Sequence, residues 1–153
     1  MNIIRFIILF SIVNLSVFAQ GNDIKELNKL IDNWHKDAAV GDFDSYFDKT
    51  HSDFIFLGTD PQERWNRKEF MAFCKPYFNK GKAWEFKALK RDWVVKKRAK
   101  VIWFDETLDT WMNTCRGSGI LIKRKGKWKL IYYNLTVLIE NDKIQKFIDL
   151  RKQ

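Results

Sequence analysis

The sequence predicts an α+β domain in which N-terminal helices pack on one face of a mainly antiparallel sheet. Three observations lead there. Apolar residues recur at helical spacing from Ile24 to Ala38. After Gly81 the period changes, and segments rich in β-branched and aromatic residues follow one another as far as Glu140. No repeat, low-complexity tract or linker separates the two regions, so 153 residues make about one domain with a single core.

In the first helix Leu27, Leu30, Ile31, Trp34 and Ala38 form one apolar stripe; Asn22 or Asp23 suits its start and Gly41 its end. "DFDSYFDK" reads as a short helical segment with Phe43, Tyr46 and Phe47 inward, and "DFIFLG" as a strand closed by glycine. "GTDPQERW" is then a structural corner that doubles as a rim, with Trp65 placed to cover a pocket mouth. In "NRKEFMAFCKPYFNKG", Asn66 and Glu69 have the spacing of a capping box, and Pro76 is expected to bend or end the helix. "AWEFKALKRDWVV", "AKVIWFDETLD", "WMNTCRGSGILIKRK" and "GKWKLIYYNLTVLIE" read as successive strands, the last two joined by a glycine-containing hairpin. "NDKIQKFIDLRKQ" adds a frayed helix at the end.

Residues 1–19 stand apart. Arg5 precedes an apolar run from Phe6 to Val13, and Val17 and Ala19 occupy the positions a signal peptidase reads. Spanning a bilayer takes about 20 predominantly apolar residues, and Ser11, Asn14 and Ser16 interrupt this run, so cleavage before Gln20 is expected. The expected product is an exported chain, periplasmic or secreted, with no membrane span. Its two cysteines, Cys74 and Cys115, would meet an oxidising compartment, where they are either a bridged pair or two small apolar fillers.

The net charge of +9 is unevenly distributed: residues 23–60 hold nine acids against four bases, and residues 61–153 hold ten acids against 23 bases. A basic half can attract nucleic acid. Lys123, Lys125, Lys127 and Lys129 alternate with other residues, however, as the solvent positions of strands do, so nucleic acid is not an expected partner. His35 and His51 are isolated, no Cys/His spacing matches a metal site, and His35 reads as a surface or boundary residue. "CRGSG" has Arg116 where a nucleophile elbow needs glycine, and no phosphate-cradling glycine loop occurs. Neither a metal nor a cofactor is expected.

"GTDPQERW" before a helix, "WFDETLD" in mid-sheet, "RGSGILIKRKGKWKL" across a hairpin and "YYNLTVLIEND" near the end resemble a SnoaL-like domain of the nuclear-transport-factor-2-like superfamily. The likeness covers about residues 24–142 of a domain expected to span 20–153. It implies a cone: helices against a strongly curved sheet, with a pocket between them. Family members include isomerases, polyketide cyclases and dehydratases, and dimers through the open sheet face are frequent. A homodimer is therefore expected.

Within such a cone, alternation along strands selects the pocket residues. Lys129 marks its face as solvent-facing, which turns Trp128, Leu130, Tyr132, Asn134 and Thr136 toward the helices. Trp103 and Asp105 share one strand face, as do Arg116 and Ser118. The expected ligand is a small molecule, apolar or anionic, touched by Trp65, Trp103, Ser118, Tyr132 and Asn134. The alternative is an isomerase, cyclase or dehydratase with Asp105 as general acid/base and Arg116 or Asn134 stabilising charge. A structural Asp105–Arg116 ion pair competes with both readings.

Overall fold

The computed structural model describes residues 24–96 and 98–152. The expected leader, its cleavage before Gln20 and the Asn22 or Asp23 cap lie outside them. Helix α1 (residues 24–39) buries Leu27, Ile31, Trp34 and Ala38 of the stripe that its periodicity gives, and His35, expected at the surface or boundary, is corrected to a buried residue because its ring turns inward onto Glu106. It stops at Gly41, whose φ of +69° favours glycine and whose Cα faces Gly81 so closely that a Cβ would sit 2.7 Å from the Gly81 carbonyl carbon. Helix α2 (Phe43–Asp48) is capped by Asp42, which accepts a hydrogen bond from the Ser45 amide at 3.0 Å. Tyr46 and Phe47 are buried, as their spacing predicts.

Strand β1 (Thr50–Leu57) leads into the "GTDPQERW" corner. There Asp60 Oδ1 accepts from the Gln62 amide at 2.8 Å and Glu63 Oε2 accepts from the Asp60 amide at 3.2 Å. The corner ends in a short strand, β2 (Arg64–Asn66), which the sequence does not announce. Helix α3 (Arg67–Phe78) begins with the expected capping box: Asn66 Oδ1 accepts from the Glu69 amide and Glu69 Oε2 from the Asn66 amide. It runs two residues past Pro76, which sits in the last turn; the proline neither ends nor breaks the helix at Lys75.

Strands β3 (Lys87–Val94), β4 (Val101–Thr110), β5 (Asn113–Arg124) and β6 (Lys127–Val137) complete a six-stranded sheet of order β2-β1-β6-β5-β4-β3, in which only the β1–β6 pair is parallel. A 3₁₀ turn (Asn141–Lys143) and an exposed helix α4 (Ile144–Leu150) follow. The fold is the expected α+β cone: helices pack on one face of a curved, mostly antiparallel sheet, around a core of Trp34, Tyr46, Phe54, Phe70, Phe104 and Tyr133. Each buried phenylalanine among them contributes about 1.5–3 kcal/mol through burial.

One irregularity decides which side chains face that core. In β6, Leu130 pairs with Leu121 and Tyr132 with Ile120, so Ile131 is an extra residue without a partner. This β-bulge reverses the alternation. Leu130 is buried on the inner face before the bulge, and Tyr133 and Leu135 are buried there after it. The expectation that Tyr132, Asn134 and Thr136 continue the Trp128 face is therefore corrected. The alternation on β4 is also opposite to the expected one: Ile102, Phe104, Glu106 and Leu108 are buried, whereas Trp103 is 46% exposed and Asp105 faces solvent.

Candidate functional site

The inner face carries a buried polar cluster built on Glu106 of β4. Arg91 of β3 lies directly opposite Glu106 in the antiparallel register. Its Nε donates to Glu106 Oε2 at 2.8 Å, and Nη2 lies 2.7 Å from the same oxygen, off the hydrogen-bond line, adding charge without a second bond. On the other side, Glu106 pairs with Gly117 of β5. With no side chain at 117, Tyr133 reaches across from β6 and donates its hydroxyl to Glu106 Oε1 at 2.8 Å. A Cβ on Gly117 would lie 2.0 Å from that hydroxyl oxygen. Gly119 does the same for Phe104, whose ring carbon would be 2.3 Å from a Cβ.

Helix α1 supplies the remaining partners. His35 Nε2 lies 2.8 Å from Glu106 Oε1; since a carboxylate only accepts, this nitrogen carries the proton. Arg91 Nη1 donates to Asp32 Oδ1 at 2.9 Å and to Asn28 Oδ1 at 3.2 Å, and Trp93 Nε1 donates to Asn28 Oδ1 at 2.8 Å. Burial alone would raise the Glu106 carboxyl. The charge and hydrogen bond of His35, then Arg91 and the Tyr133 hydroxyl, outweigh it and bring the pKa down to about 2. Burial, reinforced by the Glu106 charge, raises Tyr133 well above its ordinary value, so it remains a neutral donor.

Aromatic side chains pack closely in the interior. Phe104 lies over Gly119, Phe56 stacks on Phe70 at 4.1 Å, and Trp34 stacks on Tyr46 at 4.8 Å. Space opens instead beside the cluster. A cleft of about 300 Å³ lies between α1 and residues 85–88, lined by Asp32, His35, Lys36, Ala39, Phe86 and Ala88 among others. His35 is anchored on Glu106 and only 5% exposed, at the inner edge of this cleft, and its Nδ1 has no hydrogen-bond partner among the described residues. Two further clefts flank the sheet, one of about 320 Å³ beside Trp128 and one of about 430 Å³ between Trp84 and Trp111.

Of the residues expected to touch a ligand or to act in catalysis, only Trp65 lies on the inner side. It is half-buried and stacked on Phe73 at 4.4 Å and on Phe70 at 5.7 Å. Trp103, Asp105, Arg116, Ser118, Tyr132 and Asn134 share the outer sheet face, where Asp105, Ser118 and Asn134 are register neighbours. Asp105 and Arg116 are exposed and, among the described residues, form no ion pair with each other; Arg116 sits opposite Thr107 and Thr136. The sequence reading missed His35, Glu106, Arg91 and Tyr133. Glu106 between Phe104 and Leu108 in an alternating strand was the available signal. Cys74 and Cys115 are both free thiols, each fully buried.

Among the described residues no group of side chains is arranged to hold a metal ion, and no helix is long and apolar enough to cross a membrane. The family model described as a SnoaL-like domain matches residues 27–140. The chain belongs to the SnoaL-like family. Solved structures agree on the fold. One is a nuclear-transport-factor-2-like protein of unknown function from Pseudomonas putida (TM-score 0.64, 10% identity, 77% of this chain and 88% of that one). Another is a candidate dehydratase of the same superfamily from Streptomyces avermitilis (TM-score 0.69, 8% identity, 79% and 99%). A third is a variant of a Mycobacterium tuberculosis protein of unknown function (TM-score 0.67, 13% identity, 83% and 78%). No curated protein matches the sequence significantly. The SnoaL-like fold is one that serves ligand binding or isomerase- and dehydratase-type chemistry, and at these identities the structures speak for the fold alone.

Proposed function

We propose that this SnoaL-like domain binds a small, largely apolar molecule in the cleft between α1 and residues 85–88, with His35 making the polar contact. One observation carries the reading: His35 is held through Nε2 on a buried carboxylate while the residue itself lines the inner edge of the cleft. Phe86, Ala39 and Ala88 offer apolar wall, and Nδ1 is left for a ligand hydroxyl or amide. The Arg91–Glu106–Tyr133 cluster behind His35 fixes the ring without being reachable itself.

The same dyad favours a second reading, proton transfer of the isomerase or dehydratase type. A carboxylate behind an imidazole sets its tautomer and orients it as a base. In that reading His35 takes the role first assigned to Asp105, which is exposed on the outer sheet face. We further propose that the chain is exported after cleavage before Gln20, and that two copies associate through the outer sheet face.

Native mass spectrometry of the protein purified from its own host tests these readings together. The expected species is a dimer of chains beginning at Gln20, each retaining one small molecule that His35→Gln no longer holds. A retained molecule unaffected by His35→Gln would sink the assignment of the cleft. Conversion of the released molecule on re-addition to wild-type protein, and not to His35→Gln, would decide for the enzyme.

A further inference from the structure

The largest of the three clefts lies apart from the cone interior, between residues 82–87 and the turn joining β4 to β5, with a volume of about 430 Å³. Its walls are two indoles. Trp84 is half-buried and fixed by the core, its ring 5.5 Å from Phe78 and 6.1 Å from Tyr46. Trp111, at the tip of the β4–β5 turn, is 81% exposed, more than any other large apolar side chain among the described residues.

That exposure is set by a hydrogen-bonded turn. Thr110 Oγ1 donates to the Asn113 carbonyl at 2.9 Å and accepts from the Met112 amide at 3.0 Å. Asn113 takes a φ of +73°, and its side chain accepts from the Thr114 amide. Met112 packs inward against the core, so the turn commits Trp111 to the outside. Trp111 thus presents its indole to water at the edge of the cleft, across from the half-buried Trp84.

The rim supplies the chemistry. Lys82 and Glu85 pair at 3.7 Å, and Lys87 stands opposite Asp109 in the β3–β4 register. Two ammonium groups and two carboxylates cancel, which gives no net attraction for an anion or a cation. They are nonetheless a dense set of donors and acceptors around two flat apolar faces. A neutral sugar ring has this complementary character: its C–H face lies on an indole while its hydroxyl groups meet carboxylates and ammoniums. We propose that the Trp84–Trp111 cleft is a binding site for a neutral pyranose oligosaccharide, independent of the His35 cleft although Glu85 and Lys87 border both.

The test is calorimetric titration of the mature chain with cellotetraose, maltotetraose and chitotetraose. At least one is expected to bind with a dissociation constant of about 1 mM or tighter, and Trp111→Ala to weaken it about tenfold or more. Trp111→Ala should keep the wild-type melting temperature, because the side chain is exposed. Absence of binding for all three sugars overturns the proposal, as does binding that survives Trp111→Ala. Saccharide binding abolished by His35→Gln and kept in Trp111→Ala would assign it to the other cleft. Trp111 is also suited to a membrane surface. Trp111-dependent binding to phosphatidylcholine vesicles without saccharide binding would make the turn a lipid anchor and refute the sugar site.

Discussion

His35 Nε2 lies 2.8 Å from Glu106 Oε1, joining α1 to β4 across 71 residues of sequence. The same carboxylate accepts from Arg91 and Tyr133, so four elements, α1, β3, β4 and β6, meet at one buried group. A buried carboxylate with a guanidinium opposite it tolerates little change, since removing one charge strands the other. Glu106→Gln is isosteric, yet leaves Arg91 without its buried counter-charge. The expected cost is about 3–5 kcal/mol, read as a lowered urea midpoint with an unchanged slope. A loss below about 1 kcal/mol would mean that water reaches Arg91 and the cluster is not closed.

Acid should expose the same group. The Glu106 carboxyl is held at about 2 against an ordinary 4.5, so its folded-state pKa is depressed. Its stabilising contribution is therefore complete above about 4.5 and disappears as pH falls toward about 2. The displacement from 4.5 to about 2 corresponds to about 3 kcal/mol. Urea unfolding followed across that window should show wild-type stability falling more steeply than that of Glu106→Gln. Parallel curves for the two proteins would locate the acid sensitivity elsewhere.

Gly117 makes room for the Tyr133 hydroxyl, which would be 2.0 Å from an added Cβ, with the ring carbon bearing it at 2.8 Å. Gly117→Ala should push the ring aside, costing about 1–3 kcal/mol for overpacking and breaking the bond to Glu106 besides. Tyr133→Phe alone loses the same bond but keeps the packing. In the double variant the bond can be lost only once, and the most severe clash is gone. The double variant should thus be more stable than the sum of the single changes predicts, by about 1 kcal/mol or more. Strict additivity in thermal unfolding would show that the hydroxyl and residue 117 are not in contact.

These side chains also mark where the sequence could and could not be read. The α1 stripe, the Asn66–Glu69 capping box and the four long strands are legible because each follows from spacing within one segment. Belonging to the SnoaL-like family followed from ordered motifs along the chain. The faces of the strands did not follow. Ile131 has nothing in its chemistry that announces a bulge, yet the extra residue exchanges Tyr132 and Asn134 for Tyr133 and Leu135 on the inner side. On β4, placing Trp103 and Asp105 inward overlooks that Ile102, Phe104 and Leu108 together carry more apolar surface than the opposite face does. A buried glutamate also reads as an outward one until its partners are known, and Arg91 and His35 are distant in sequence.

The two thiols give a prediction about compartment and core together. Burial raises the Cys74 thiol far above its ordinary value, which removes the reactive thiolate. Cys115 is likewise fully buried, and both are free. The native protein should react slowly with Ellman's reagent, release two equivalents only when unfolded in urea, and melt at the same temperature with and without dithiothreitol. A melting temperature that falls on reduction would require a bridge that the fold does not contain.

The outer sheet face carries the residues once expected to line a pocket, and its apolar side chains lead to a prediction about assembly. Val94, Trp103, Ile120, Tyr132 and Ile55 are successive register partners across β3, β4, β5, β6 and β1, and so form one apolar row. Val94 and Trp103 are 42% and 46% exposed, and Val101, two residues before Trp103 on the same face, is 51% exposed. A contiguous apolar row on a sheet whose other face is already packed needs a cover, and a second copy brings a matching surface by two-fold symmetry. Sedimentation should find a dimer at micromolar concentration. Trp103→Glu, placing a charge in the middle of the row, should give a folded monomer with its thermal transition intact. Asp105→Asn on the same face is the control: it is exposed in the single chain and the change introduces no new charge, so the dimer should persist and stability should move by no more than about 0.5 kcal/mol. A wild-type monomer at these concentrations, or a dimer indifferent to Trp103→Glu, would remove this face from the assembly. The row would then be bare apolar surface, prone to aggregation wherever the chain is concentrated.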